Sequence, residues 1–225
     1  MVNLDYSILQ PLSANNKDNK TKKACDNDDC KRELEKYLDN FREFMLNQNV
    51  YDMTSLLIAE QDWIKRHTKQ QVFSESLVGK ILRVDFGKTY LCENGFIHYA
   101  VCIAESQGKY CVIPTTTAND EIKMAYHPEF RPNGEKRLYL LKKSDGNTRD
   151  SALFINDLKF ISSGRIIKVG TKIEDEAYSN IINLVCEVLL EDVYNKMTSL
   201  QASNTTLEEK VELLEMLCKS YKNNT

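Results

Sequence analysis

The sequence predicts an α+β protein in which helices at both ends of the chain flank a small, strongly bent β-sheet or barrel. Apolar residues recur every three or four positions in residues 30–72 and again after residue 174, a spacing typical of amphipathic helices. Between residues 79 and 170 they alternate in short runs separated by turn-rich connections, which is typical of short strands.

The N-terminal part of the chain divides by composition. Residues 1–29 are rich in Asn, Asp and Lys, and we expect them to form a mostly disordered tail. Residues 30–75 are expected to form a helical extension with two apolar stripes. The stripes consist of Leu34, Tyr37, Leu38, Phe41, Phe44 and Met45, and of Leu56, Leu57, Trp63, Ile64 and His67. His67 is interpreted as a packed histidine.

Six runs after this extension predict strands, and helices follow them. The runs are residues 79–88, 98–104, 109–114, 137–143, 151–155 and 165–170. We expect the barrel and its following helix to occupy residues 77–199. The buried face of that helix is expected to carry Tyr178, Ile181, Ile182, Val185, Val188 and Leu189. A last helix is predicted over residues 204–222. It would begin near Thr206 with a capping box to Glu209, and it would carry a stripe of Leu207, Val211, Leu214 and Leu217.

The composition is that of a chain able to bury a core. Its 225 residues are 42% hydrophobic and 28% charged, and a net charge of −3 means that only a local basic face would indicate nucleic-acid binding. The N-terminus lacks a signal-peptide pattern, and no apolar run reaches the roughly 18 residues of a membrane span. We therefore expect a cytoplasmic protein with reduced cysteines and no membrane association.

Two cysteines are candidates for metal ligands. Cys25 and Cys30 have four residues between them, but a metal site needs a second pair or histidines at ligand spacing, and the sequence has neither nearby. We expect a solvated flank before a helix there, and no metal or other cofactor in the protein.

The run KYCVIPTTT, residues 109–117, suggests a functional site at a strand end. Thr115, Thr116 and Thr117 follow an apolar strand and Pro114. Hydroxyl groups held at a sheet edge can donate hydrogen bonds to phosphate oxygens. The alternative is that the threonines only favour strand and turn structure.

Several segments in order resemble a known family. They are VDFG (84–87), ENG (93–95), HYAVCI (98–103), CVIPTTT (111–117) and ALFINDLKFISSGRIIKVG (152–170). From about residue 77 to 195 this order is similar to the MazF/PemK toxins, small ribonucleases of type II toxin–antitoxin systems. The resemblance implies a bent SH3-like β-barrel of the MazF/PemK/CcdB type. It also implies a metal-independent, sequence-specific endoribonuclease that cleaves single-stranded mRNA by 2′-hydroxyl attack, a cognate antitoxin partner, and a homodimer built through the barrel.

The resemblance also implies site residues. Pro114-Thr115-Thr116 is similar to the family's Pro-x-Thr/Ser, which makes Thr116 the hydroxyl that contacts the reacting phosphate. Asp157-Leu158-Lys159 is similar to the family's Gln-Ile-Arg, which makes Lys159 the counter-charge. Glu93 and Gly95 match the family's loop acid and glycine.

The largest departure from the family lies at His98-Tyr99, where the family commonly has Arg-Pro. Metal-independent RNA cleavage needs a base for the 2′-hydroxyl, an acid for the leaving oxygen and donors for the phosphorane charge. Histidine can do both proton-transfer tasks near neutrality, whereas arginine stays protonated. His98 is therefore predicted to be the general acid–base group, and the alternative is a strand-edge histidine without chemistry.

Other residues are candidates for substrate contact. Tyr99 is placed to stack on bases, Thr115 lies beside the predicted reacting hydroxyl, and His127 and Arg165 are candidates for contact with RNA or phosphate. Arg83 and Lys88 were weighed in the same way, but each is interpreted as a solvated surface charge. Two functional alternatives stay open: a gyrase-poisoning toxin of the same fold, and a non-catalytic barrel that binds protein or RNA.

Overall fold

The computed structural model describes residues 3–15 and 17–223, with side chains up to residue 216, so Leu217 of the predicted stripe lies outside the described side chains. The chain divides into two compact units, Met1–Glu60 and Gln61–Thr225. The helices are α1 (Tyr6–Leu12), α2 (Lys17–Thr21), α3 (Asp28–Leu46), α4 (Val50–Arg66), α5 (Asn119–Met124), α6 (Asp175–Leu189) and α7 (Glu191–Asn223). No helix in this described part of the chain is long and apolar enough to cross a membrane.

The N-terminal unit is built around α3. Asn27 caps this helix by accepting a hydrogen bond from the Cys30 N–H at 2.9 Å. The Asp5 N–H donates to the buried Glu33 carboxylate at 2.8 Å, a contact that joins the start of α1 to α3 and lowers the pKa of Glu33. Residues 1–29 thus contain short helices. The disorder expected for this tail and the expected domain boundaries stay predictions. Most of the α3 stripe is exposed, and Met45 is its one buried member among the described residues.

The second unit contains a bent, eight-stranded sheet. Its strands are β1 (Lys80–Asp85), β2 (Ile97–Ser106), β3 (Lys109–Thr116), β4 (Ala125–Tyr126), β5 (Glu135–Leu141), β6 (Ser151–Phe154), β7 (Lys159–Ser162) and β8 (Ile166–Lys172). The six predicted strands are confirmed within a few residues at each end, and β4 and β7 were not predicted. The strand order is β4-β5-β6-β3-β2-β1-β8, and β7 also pairs with β3.

The sheet bends at β3, which pairs with β7 through its first half and with β6 through its last two residues. The predicted α+β class is confirmed, but the predicted closed barrel is not shown. Among the described residues, β8 pairs with β1 alone and β4 with β5 alone, so the two ends of the strand path do not meet.

Both faces of the sheet are covered by apolar residues because successive side chains on a strand point to opposite faces. Ile81, Val101 and Ile113 lie on the face that packs against α6. The intervening Leu82, Ala100 and Val112 lie on the other face, in a second apolar cluster. The predicted buried face of α6 is confirmed except at Leu189, which lies at the end of the helix and is 41% exposed. The Tyr178 hydroxyl donates to the Ile103 carbonyl at 2.8 Å.

The C-terminal helix differs from the sequence-based expectation. Helix α7 begins at Glu191 and runs to Asn223 without interruption. The predicted capping box at Thr206 is wrong, because Thr206 lies inside the helix and its hydroxyl donates to the Ala202 carbonyl at 3.0 Å. A Thr-x-x-Glu pattern has the same local composition in a helix interior as at a helix start, and only the preceding backbone distinguishes the two.

Candidate functional site

On the face of the sheet that packs against α6, the side chains change from apolar to polar two residues further along each strand. Ile81, Val101 and Ile113 are buried against α6, and their same-face neighbours along the strands are Arg83, Tyr99 and Thr115. Arg83 pairs with Tyr99, and the Ala100–Pro114 pair continued by one residue places Tyr99 beside Thr115.

The same row extends onto β8, where Lys168 pairs with Arg83. Register alone therefore aligns Lys168, Arg83, Tyr99 and Thr115 across four neighbouring strands. Directly paired residues share a face, so the four side chains point to the same side of the sheet.

These four residues are among those that line a pocket of about 530 Å³, which we call the cationic pocket. Its volume is within the range of small-molecule sites. The lining residues are Ile81, Arg83, Tyr99, Thr115, Thr117, Leu141, Asn147, Thr148, Arg149, Ser151, Lys168, Gly170 and Thr171. None of them carries a carboxylate, although the whole chain has a net charge of −3.

The three cations of the pocket are not neutralised by the protein. Arg83, Arg149 and Lys168 are exposed, and none of them forms an ion pair with a carboxylate in the described part of the chain. Several other cations of the same unit are paired, for example Lys172 with Asp175 at 2.7 Å. Unpaired positive charges beside hydroxyl groups form a site for an anion.

A rigid turn holds Arg149 at the pocket. Gly146 has a φ of 87°, and a Cβ there would lie 2.8 Å from the Lys172 carbonyl oxygen, so this turn requires glycine. The Thr171 hydroxyl donates to the Gly146 carbonyl at 3.0 Å, and the Asn147 amide donates to the Ser151 hydroxyl at 2.8 Å. These bonds fasten the turn to the neighbouring strands and fix the path of the chain into Arg149.

The predicted site residues separate onto two faces. Thr115 and Tyr99 line the cationic pocket. His98 and Thr116 are cross-strand neighbours on the opposite face, because each is one residue away along its strand. His98 is half-buried with its Nδ1 3.3 Å from the Thr115 carbonyl oxygen, and the Thr116 hydroxyl accepts the Ala118 N–H at 3.1 Å.

Lys159 and Glu93 lie outside the cationic pocket. The Lys159 ammonium is 2.9 Å from Asp157, 3.3 Å from the Asn94 carbonyl oxygen and 5.1 Å from the centre of the Phe86 ring. Asp157 also accepts the Asn94 N–H at 2.8 Å. This cluster fastens the loop that contains the exposed Glu93 to the start of β7.

Arg165 belongs to a second, smaller cavity of about 140 Å³, which Asp62, Trp63, Arg66, His67 and Asp85 also line. The Arg165 guanidinium donates to the Asp85 carbonyl at 3.0 Å, and the Asp85 carboxylate accepts from Arg66 at 2.6 Å. Two carboxylates offset the charge of this cavity, in contrast to the cationic pocket.

His127 is buried away from both cavities. Its Nδ1 accepts the N–H groups of Glu129 at 3.2 Å and Phe130 at 3.3 Å, and its ring packs on Phe130 and Tyr139. Burial lowers the pKa of His127. The structure therefore gives this side chain a part in holding the turn after β4, while its predicted contact with RNA stays a prediction.

Replacing His127 by Asn is expected to weaken the pH dependence of stability. Since burial lowers its pKa, the unfolded chain binds a proton there more readily, and stability is lost as pH falls through the ordinary histidine pKa of about 6.5. In His127→Asn an amide oxygen still accepts the turn's N–H groups. We expect the variant's Tm to fall less than the wild-type Tm between about pH 7.5 and 5.5.

His67→Asn provides the control. The interpretation of His67 as a packed histidine is wrong, because its side chain is exposed and stacks on Trp63. This control should keep the wild-type pH dependence. An unchanged pH dependence in His127→Asn would contradict the role of burial at this residue.

Three residues of the cationic pocket were missed or undervalued by sequence reasoning. Arg83 was interpreted as a solvated surface charge, and Arg149 and Lys168 were not considered. The sequence did contain a sign that Arg83 lies in this row, because Arg83, Tyr99 and Thr115 are each two positions from an apolar residue of the same strand. Arg149 gives no such signal, because it lies in a connection.

Comparisons with known proteins found structural likenesses only. No protein-family model and no curated protein matches the sequence. A mycobacterial endoribonuclease in complex with its cognate antitoxin has a TM-score of 0.38 and 9% identity, with 51% of this chain and 95% of that chain covered. A second mycobacterial endoribonuclease has a TM-score of 0.38 and 8% identity, with 53% and 95% covered. The Mycobacterium tuberculosis toxin MazF-mt6 has a TM-score of 0.34 and 8% identity, with 48% and 93% covered. The structural neighbours are thus MazF-type endoribonuclease toxins at low similarity over about half of this chain, and they do not assign the chain to a family.

Proposed function

We propose that this chain is an endoribonuclease that cleaves single-stranded RNA, and that the cationic pocket binds the RNA backbone at the cleaved bond. The observation that carries this proposal is the set of three unpaired cations, Arg83, Arg149 and Lys168, around hydroxyl groups without a lining carboxylate. Phosphodiesters match such a surface, because cations and hydroxyls both donate to phosphate oxygens. The half-exposed Tyr99 ring offers a stacking surface for a base beside them.

The pocket suits cleavage by the RNA's own 2′-hydroxyl. Attack of this oxygen on phosphorus forms a bond there, the bond to the 5′ oxygen breaks, and the products carry a 2′,3′-cyclic phosphate and a 5′-hydroxyl. The pentacoordinate intermediate gains negative charge, which Arg83, Arg149 and Lys168 can stabilise while Thr115 donates a hydrogen bond. The 2′-hydroxyl releases its proton to solvent as it attacks. The Lys168 ammonium can give a proton to the leaving 5′ oxygen and is then reprotonated by solvent.

The donor set of the pocket does not suit a magnesium ion. Mg²⁺ in phosphoryl-transfer enzymes is held by carboxylates, and the lining residues include none. The proposed reaction is therefore metal-independent, with protein cations doing the electrostatic work.

The proposal assigns the phosphate-contacting hydroxyl to Thr115, because Thr115 lines the pocket and Thr116 faces the other side of the sheet. The sequence-based assignments of His98, Thr116 and Lys159 stay predictions. We further propose that the protein is a sequence-specific, cytoplasmic toxin of a toxin–antitoxin system, on the support of the ordered sequence resemblance. An acidic segment of a cognate antitoxin would match the charge of the cationic pocket.

Incubation of the purified protein with single-stranded RNA in excess EDTA tests the proposed activity. We expect cleavage to continue and the fragments to carry 2′,3′-cyclic phosphate and 5′-hydroxyl ends, because the pocket's cations replace a metal. End-labelling before and after phosphatase treatment identifies these ends.

Other outcomes would contradict the proposal in distinct ways. Fragments with 5′-phosphate ends and strict magnesium dependence would indicate a two-metal nuclease. RNA binding without cleavage would indicate a non-catalytic module, and inhibition of gyrase without any effect on RNA would indicate the gyrase-poisoning alternative.

A further inference from the structure

Helix α7 carries an apolar stripe that is exposed in the single chain. Its members are Val193, Met197, Leu200, Leu207, Val211 and Leu214, with exposed fractions between 37% and 63%. They follow one another at intervals of four, three, seven, four and three residues. A straight α-helix has 3.6 residues per turn, whereas this stripe repeats every 3.5, which is the repeat of a left-handed coiled coil.

The stripe can be written as a heptad without any interruption. Val193, Leu200, Leu207 and Leu214 occupy the d positions, and Met197 and Val211 occupy a positions. The remaining a position, between Met197 and Val211, is Asn204. The pattern covers about 33 Å at 1.5 Å per residue, or three heptads, which is the length at which a heptad pattern indicates a coiled coil.

Asn204 indicates which partner the stripe fits. A single polar residue at an a position favours two identical helices in register and in parallel, because the two asparagines then face each other and share a hydrogen bond. In an antiparallel pair, an a residue faces d residues, and Asn204 would be buried against leucine without a polar partner.

Charge complementarity favours the same arrangement. In a parallel pair, the g residue of one helix faces the e residue of the next heptad on the other helix. Lys210 occupies a g position, and Glu215 occupies the e position of the next heptad. In a parallel dimer, Lys210 of each copy would therefore face Glu215 of the other, which gives two attractive Lys–Glu contacts.

We propose that α7 is a dimerisation helix, which forms a parallel two-stranded coiled coil with α7 of a second copy of this chain. This surface differs from the barrel interface that the family resemblance implies for a homodimer, and that barrel interface stays a prediction. The proposal does not depend on the proposed ribonuclease activity. Leu213 and Met216, which are also exposed, are outside the a and d positions and take no part in it.

Sedimentation of the full chain over a range of concentrations tests the dimer. We expect a dimer in the wild type and a rise in the dissociation constant of about 100-fold or more in the variant Leu207→Glu with Leu214→Glu, because both charges would be buried in the seam. Leu213→Glu is the matched control, since the same substitution at a c position on the same helix leaves the seam intact. A monomeric wild type, or an undiminished dimer in the double variant with an unchanged Tm, would overturn the proposal.

A charge exchange tests the parallel register. Lys210→Glu is expected to raise the dissociation constant about three- to tenfold, because glutamates then face each other twice in the dimer. Adding Glu215→Lys should restore the wild-type value. Failure of the second substitution to restore the dimer would overturn the parallel arrangement, whatever the outcome for catalysis.

Discussion

Removing two cations of the pocket, in the variant Arg83→Ala with Lys168→Ala, is expected to reduce RNA binding and cleavage by about 10²- to 10⁴-fold. Hydrogen bonds to charged groups contribute about 1.5–3 kcal/mol each, and two are removed from one phosphate site. The two side chains lie side by side across β1 and β8 and are exposed. Their loss is therefore expected to leave the free energy of unfolding within about 0.5 kcal/mol of the wild type.

The salt dependence of binding provides a second measurement on the same variant. Each neutralised phosphate of a single-stranded nucleic acid contributes about 0.7 to the slope of log affinity against log salt concentration, so the weakened contact to this one phosphate should reduce the slope by up to about 0.7. A loss of affinity with an unchanged slope would indicate a structural defect and not a lost phosphate contact.

Lys172→Ala is the matched control for the charge prediction. Lys172 is exposed on β8 like Lys168, but it is paired with Asp175 at 2.7 Å and does not line the pocket. Cleavage by this control is expected to stay close to that of the wild type. If the Arg83/Lys168 variant cuts RNA as fast as the Lys172 variant, the pocket is not the site of the reaction.

Substitution of two adjacent threonines is expected to identify the face of the sheet on which the reaction takes place. Thr115→Val keeps the shape of a residue that is 8% exposed and removes the hydroxyl from the pocket. Removal of one donor to a developing oxyanion costs about 10²- to 10³-fold in rate, and we expect a loss of this size in single-turnover cleavage. Thr116→Val, on the opposite face, is expected to change the rate only a few-fold. It should also lower the free energy of unfolding by about 1 kcal/mol, because the hydrogen bond from the Ala118 N–H is lost.

Thr115→Ser separates the hydroxyl from its methyl group and should restore most of the rate. His98→Ala belongs in the same series, because His98 shares the face of Thr116. A large loss of rate in Thr116→Val and His98→Ala, with Thr115→Val fully active, would move the reaction to the opposite face and support the sequence-based assignment.

The sequence determined the helices α3, α4 and α6 and six of the eight strands, because each of them shows a local periodicity. The α6 stripe around Ile181 predicted residues that face the core, and the structure confirms it except at Leu189. The strand end at Thr115–Thr117 was also correctly singled out as polar. The missed strands β4 and β7 have two and four residues, too few to show a period of their own.

Tertiary structure alone decided how the strands are joined and which polar residues meet. Lys168 is 85 positions from Arg83, and only the register of β1 and β8 brings them together. Thr115 shares its face of the sheet with the core that packs against α6, whereas Thr116 points to the other face. Closure of the sheet depended on whether β4 and β8 meet. Such properties arise from contacts between residues far apart in the chain, and local periodicity in one sequence carries no information about strand partners or register.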